Sequence, residues 1–320
     1  MTADIVGLGA ALLDYLVNLP RIPSGEGGAA VNEIFCQGGG NVASAMAASA
    51  RLGKRSGMMA KVGGDAIGNA IINDFQYNGV DTSHIIQCEG TSTLVVAVSE
   101  VELGTRKFLF KKGDIGPLTP EELDYSYIAS AKILHIENAA DPATIAAARY
   151  AKSHNVTVSI DAAGYYKELL DLAPLIDIFI ASEFFYLEMF RGHEDDYEGN
   201  LKEIAKMGPG VVWVTQGARG CVGYSAGRFY KLSSFDVAVK DTTGAGDVFH
   251  GAYLAAVLEG LPPDECARYA SAVSAVKCMY VGGRTGLPNR HILERFLSDG
   301  AVETDELDQR LSYYRNNFMK

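Results

Sequence analysis

Asp241-Thr-Thr-Gly-Ala-Gly-Asp-Val-Phe-His-Gly-Ala-Tyr-Leu-Ala-Ala-Val257 is the stretch on which the reading of this chain turns. Gly244-Ala245-Gly246 permits a tight turn with exposed backbone N–H groups, and the Ala-rich apolar run after it predicts a helix beginning at Asp247. A helix start is an anion site, because its unpaired N–H groups and the positive end of its dipole can hold a phosphate whose charge rises during transfer. Asp247 then stands beside that anion. As a plain helix cap it would steady the helix by about 1 kcal/mol. A carboxylate next to a phosphate site also suffers like-charge repulsion, which makes sense if it accepts a proton from a hydroxyl nucleophile. The helix dipole is expected to keep Asp247 ionised, and so a weak base that acts late in the transition state.

Outward from this turn, short β-branched runs alternate with Ala-rich stretches of helical period, the pattern of a mostly parallel sheet covered on both faces. Strands are predicted at 5–9, 56–62, 132–136, 156–161, 176–181 and 211–215. Two stretches, 15–35 and 91–112, break the alternation with polar and apolar residues in turn, and Glu102-Leu103-Gly104-Thr105 reads as a hairpin turn within the second. They are expected to form a small separate sheet, a lid over the C-terminal edge of the main one, where open α/β sheets bind ligands. An exposed edge on such a lid favours pairing into a homodimer. With no internal repeat, low-complexity tract or long linker, one domain over 1–320 is expected.

Composition narrows the partners. The chain has 320 residues, 48% hydrophobic and 21% charged, enough to bury a full core. Its 28 Lys plus Arg against 39 Asp plus Glu give a net charge of -11, so nothing draws it to nucleic acid or an anionic membrane. Its 5 cysteines are scattered without a C-x-x-C pair, which favours a reducing compartment. Asp4 and Asp14 interrupt the apolar N-terminal stretch, which therefore reads as a buried strand and not as a leader or a membrane span; a cytoplasmic location is expected. No G-x-x-x-x-G-K-[ST] occurs, Gly7-Leu8-Gly9 is an incomplete dinucleotide fingerprint, and the histidines show no zinc pattern.

The segment 241–251 closely resembles the C-terminal signature of the PfkB or ribokinase family of carbohydrate kinases. The resemblance implies the ribokinase-like three-layer α/β/α fold with a β lid, and ATP-dependent phosphotransfer to a hydroxyl of a sugar or sugar derivative. It makes Asp247 the general base and the backbone of Gly244, Ala245 and Gly246 the anion hole. Gly38-Gly39-Gly40-Asn41-Val42-Ala43 is similar to the family's N-terminal signature, which implies substrate contacts at Gly39, Gly40, Asn41 and Ser44; Ser44 stands where the family usually has Asn, an altered pattern for reading hydroxyls. Asp14 and Glu137 fall where family members contact sugar hydroxyls. Val214-Thr215-Gln216-Gly217-Ala218-Arg219-Gly220 resembles the nucleotide loop, which implies nucleotide contacts at Thr215, Gly217 and Gly220, with Ser182, Thr243 and Gly283 of the Gly282-Gly283-Arg284-Thr285-Gly286 turn. The family's Asn-x-x-Glu motif for hydrated Mg²⁺ would fall near Ser182-Glu183-Phe184-Phe185, where Glu183 is the acidic residue but out of register. A monovalent cation, K⁺, at Asp241 and Thr243 is a further implication. Arg106, on the lid, is either a contact for an anionic substrate group or part of a solvated strand face. Two alternatives stay open: a nucleoside kinase of the same fold, and a ligand sensor that has lost catalysis.

Overall fold

The structure, a computed structural model, describes residues 2–100, 102–103, 105–316 and 318. β1 (Ile5–Leu8) shows how its main sheet is made. Side chains alternate across a strand, so Ile5 enters one hydrophobic layer while Val6 and Leu8 enter the other. The same split recurs in β10 (Ile178–Ser182), with Ile178 and Ile180 on one side and Phe179 and Ala181 on the other. Both faces are covered, as the continuous apolar runs of the sequence require.

Among the described residues this sheet has nine strands. In spatial order they are β13 (Arg228–Leu232), β12 (Cys221–Ser225), β11 (Val211–Thr215), β10, β9 (Thr157–Ala162), β8 (Ile133–Ile136), β1, β4 (Ser56–Gly63) and β5 (Ile85–Cys88). Pairing is parallel from β11 to β5 and antiparallel at β11–β12–β13. One layer holds α1 (Asn41–Arg51), α7 (Ala245–Leu258), α8 (Pro263–Cys278) and α9 (Arg290–Asp299), with α2 (Ala66–Tyr77) and α10 (Asp305–Asn316) flanking it. The other is built from α3 (Tyr125–Ser130), α4 (Pro142–Ser153), α5 (Glu183–Met189) and α6 (Tyr197–Lys206).

All six predicted strands are present within two residues of their expected ends. The β12–β13 hairpin and β5 were not predicted. The hairpin turns on Ala226 (φ 50°) and Gly227 (φ 79°), a two-residue loop with both residues left-handed, and alanine there lacks the Asn-Gly or Asp-Gly signal that marks such turns.

A second sheet runs β3 (Glu33–Gly39), β2 (Leu12–Leu19), β6 (Leu94–Glu100) and β7 (Thr105–Lys111) in spatial order, with β2 and β6 parallel. Leu8 ends β1 and Leu12 opens β2, so the chain passes from the C-terminal end of a central strand straight into this sheet. The small sheet thus lies over the edge where the glycine-rich turns converge. It also reaches further than expected, because the first signature's Gly38 and Gly39 end β3 and Gly40 (φ 101°) caps α1.

α1 and α7 meet backbone to backbone: a Cβ on Gly251 would stand 2.0 Å from the carbonyl oxygen of Ala45. α7 is apolar all round because it is central, with every residue from Val248 to Ala256 buried between α1 and α8. Its Tyr253 hydroxyl accepts the indole N–H of fully buried Trp213 at 3.0 Å, tying helix to sheet. Among the described residues no helix is long and apolar enough to cross a membrane.

Candidate active site

The turn before α7 is built on Gly244, left-handed at φ 73°, where a Cβ would stand 3.0 Å from the Cα of Gly283. The helix opens at Ala245, two residues earlier than predicted, so Asp247 lies within its first turn. Ala245 N–H donates to the Thr242 carbonyl at 3.2 Å and Val248 N–H to the Gly244 carbonyl at 2.9 Å. Among the described residues the N–H groups of Gly244, Gly246 and Asp247 have no acceptor, so they are the free donors of the turn and Ala245 is not.

Asp247 is half-buried at the base of this turn. Burial first, then the nearby carboxylates of Asp161 and Asp14, push its pKa up to about 7, against the pull of His250 and Lys277. The expectation of a firmly ionised, weakly basic Asp247 is corrected here: desolvation and neighbouring negative charge outweigh the dipole of one helix.

Asp14 projects from β2 beneath Gly39, whose missing side chain leaves it room; a Cβ there would lie 2.4 Å from the Asp14 carboxylate. Burial raises Asp14 to about 6, while Arg284 pulls it down. Arg284 is itself fully buried, paired with Asp74 and donating to the Gly39 carbonyl at 3.4 Å. Glu137 follows β8 and packs where a Cβ on Gly9 would lie, 2.5 Å away. Burial pushes it to about 7, helped by Asp161 and Asp247 and opposed by the Ala10 N–H. Asn41 opens α1 and donates to Asp161, whereas Ser44 is buried within that helix. Asp14, Gly39, Gly40, Asn41 and Glu137 are therefore brought around Asp247, and Ser44 lies behind them.

Asp161, at the C-terminal end of β9, was not singled out from the sequence. Burial pushes it up most, yet His250, with help from Asn41, holds it below the usual carboxylate range. His250 Nε2 lies 3.3 Å from its Oδ1, and the rings of His250 and His135 stand 5.3 Å apart. Burial first, then His250, drive His135 down to about 3, so it is neutral. The available signal was the Asp that closes predicted strand 156–161, since carboxylates at the C-terminal end of a buried parallel strand face the ligand edge.

On the other side of the turn a cleft of about 500 Å³ is lined by Thr215, Gly217, Gly220, Gly246, Phe249 and Ala275, among others. Ser182 lies beside this cleft, level with Thr215 in the sheet; it caps α5 through Phe185 N–H at 3.1 Å and donates to the Ala163 carbonyl. Glu183 pairs with Arg219. Gly283 packs between Gly244 and Gln37 at the start of the turn. Thr243 is turned toward Asp241, giving it N–H (2.9 Å) and hydroxyl (2.7 Å) bonds.

Among the described residues no cluster of three or more His, Cys, Asp or Glu could hold a metal by itself. Glu183, the acidic residue of the altered Ser182-Glu183-Phe184-Phe185 segment, opens α5 and is held in its ion pair with Arg219. The Asp241 site does not suit a monovalent cation. Its carboxylate accepts from Arg106, from Thr243 twice and from Gly282 N–H at 2.7 Å, and its carbonyl accepts the Lys277 ammonium at 2.9 Å. Arg106, for which the sequence left open a substrate contact or a solvated strand face, is engaged with Asp241, because β7 carries it over the loop that leads into the turn.

Residues 2–290 match the family model described as pfkB family carbohydrate kinase. A ribokinase of Haemophilus influenzae is 27% identical over 93% of this chain and 99% of its own length. A nucleoside kinase of Methanothermobacter thermautotrophicus is 25% identical over 94% of this chain and 97% of its own. The structure of Arabidopsis thaliana ribokinase complexed with ribose and ATP superposes with a TM-score of 0.80 at 23% identity, covering 93% of this chain and 99% of that one. With the signature turns at its sheet edge and the match running through nearly all of its length, the chain belongs to the pfkB family of carbohydrate kinases.

Proposed function

We propose that this ATP-dependent carbohydrate kinase transfers the γ-phosphoryl group of ATP to a hydroxyl of a sugar or sugar derivative, with Asp247 as general base. The observation that carries the reading is the position of Asp247, beside the free N–H groups of one turn and among Asp14, Glu137 and Asp161. Asp14, the Gly39–Gly40 backbone, Asn41 and Glu137 offer acceptors and donors suited to a polyhydroxylated ligand. ATP enters the cleft bounded by Thr215, Gly217, Gly220 and Ala275, with Ser182 and Thr243 at its margin. Its phosphates lie toward the turn, where Gly244, Gly246 and Asp247 N–H groups stabilise the charge that builds on the transferring phosphoryl. Asp247 takes the proton from the accepting hydroxyl as the new P–O bond forms and the bond to ADP breaks. Mg²⁺, held by the ATP oxygens with Glu183 nearby, neutralises phosphate charge when bound.

A coupled ADP-release assay over ketoses, aldoses, sugar phosphates, sugar acids and nucleosides, run beside Asp247→Asn, tests this. Turnover on one class should fall by about 10²–10⁴ in the variant, the range for losing a general base. A folded Asp247→Asn protein with near-normal turnover removes the assignment. Nucleosides are the second reading, favoured by a cavity of about 300 Å³ beside Glu137 whose walls include Leu8, Leu12, Ile115, Pro117 and Leu118, apolar surface that suits a base better than a bare sugar.

The proposal includes a homodimer through the lid. β7 is an edge strand that exposes Phe108, Leu109 and Phe110, the last 72% accessible, and pairing would cover both the apolar side chains and the open backbone edge.

A further inference from the structure

We infer that Arg106 and Lys277 supply, as part of the protein, the positive charge that the family resemblance assigns to a bound monovalent cation, so that catalysis is independent of K⁺ and is instead coupled to the seating of the small sheet. The inference rests on the kinase reading above for its rate measurements but not for its binding measurements.

The geometry is specific. Asp241 begins the segment that becomes the anion-binding turn, and every oxygen it offers already has a donor. Oδ1 accepts Arg106, Thr243 N–H and Thr243 Oγ1; Oδ2 accepts Gly282 N–H; the backbone oxygen accepts Lys277 Nζ. Lys277 is fully buried, and its ammonium stands against this loop from α8. An alkali cation needs several oxygen lone pairs pointing at one point, whereas here N–H and ammonium groups point at those oxygens. Two fixed cations placed within hydrogen-bond distance of one residue would also repel a third.

The two cations differ in where they come from. Lys277 belongs to the same helical layer as the turn and holds the Asp241 carbonyl whatever the rest of the chain does. Arg106 arrives on β7 from the small sheet. Its ion pair with Asp241 is a direct link between that sheet and the loop carrying Gly244, Gly246 and Asp247. Arg106 is accordingly a positioning residue: it acts on the transferring phosphoryl through the Asp241 loop.

The test uses the intact protein at constant ionic strength in K⁺, Na⁺ or tetramethylammonium. Melting temperature with and without ADP, and thallium-205 NMR with Tl⁺ standing for K⁺, read cation binding directly. The expected result is no saturable Tl⁺ signal, no K⁺-specific rise in melting temperature, and turnover equal within about twofold across the three salts. Arg106→Ala should lower kcat by about tenfold or more with both KM values little changed, as expected when an interaction made in the transition state is disturbed, and Arg106→Lys should restore part of the loss. Saturable Tl⁺ binding, or a K⁺-specific stabilisation, overturns the inference even if no acceptor is ever phosphorylated. Activation by K⁺ of several-fold overturns it while leaving the kinase reading intact. An Arg106→Ala protein whose acceptor KM rises and whose kcat holds also overturns it, because Arg106 would then be a substrate contact.

Discussion

On the proposed mechanism, a base raised to about 7 should show that value in the rate. With Asp247 at that pKa, about half of it is ionised at pH 7, about one-tenth at pH 6 and about one-hundredth at pH 5. An ordinary aspartate, near 3.9, would stay more than about nine-tenths ionised down to pH 5. The expected profile of kcat/KM therefore falls by about 100-fold between pH 8 and pH 5, where an ordinary carboxylate base would give a nearly flat line. Glu137, also at about 7, and Asp14, at about 6, share the site with Asp247, so the acid limb belongs to the group and should be steeper than a single titration. Asp161→Asn isolates the cause: it removes the neighbouring carboxylate charge named for Asp247 and should move the limb to lower pH. The assay is ADP release followed by direct separation of ADP and ATP, with Mg²⁺ saturating, so that neither a coupling enzyme nor metal-free nucleotide adds its own titration. A flat profile from pH 5 to pH 8, or an acid limb that Asp161→Asn leaves in place, would falsify the claim that burial and Asp161 set the strength of the base.

Three further outcomes follow from the same structure. Because folding raises the Asp247 pKa, its stabilising contribution is full only below the unfolded value near 4 and is lost as pH rises through about 7; Asp247→Asn should therefore melt higher than the parent at pH 8, with the gain shrinking toward pH 5, at about 1–2 °C for each kcal/mol relieved. Ala275→Phe fills the cleft beside Phe249 and should raise the KM for ATP by about tenfold or more without weakening acceptor binding, measured by titration of the acceptor alone. Phe110→Lys places a charge on the exposed edge of β7; light scattering should show the proposed dimer for the parent and a monomer for the variant, and an unchanged mass would count against the lid as the interface.

The main sheet was legible because its information is local. Each buried run such as Val211–Thr215 carries its own length, its own β-branched residues and its own flanking turn, and the period-two split of neighbours such as Val212 and Trp213 needs no partner to be read. Asp247 and the glycines of its turn were legible for the same reason, lying within four residues of one another. The ionisation of Asp247 was not, because Asp161 and Asp14 come from β9 and β2, and only the closed fold brings their charges to α7. Arg106 shows the same limit: from sequence it is a cation on a strand, and its partner Asp241 lies 135 residues further on. The β12–β13 hairpin escaped for a local reason, an alanine at a left-handed position where turn chemistry favours Asn or Asp.

The contact of Gly251 with the Ala45 carbonyl bears on inheritance. α1 delivers Asn41 and α7 delivers Asp247, and with no side chain between the two backbones there is no residue whose size could be traded to change their spacing. The small sheet meets the centre through side chains instead: Asp14 and Arg106 reach it from strands that are joined to the main body by short turns and side-chain bonds. Changes of acceptor across descendants of this scaffold should therefore accumulate in β2, β6 and β7, while the distance from Asn41 to the base is passed on unaltered.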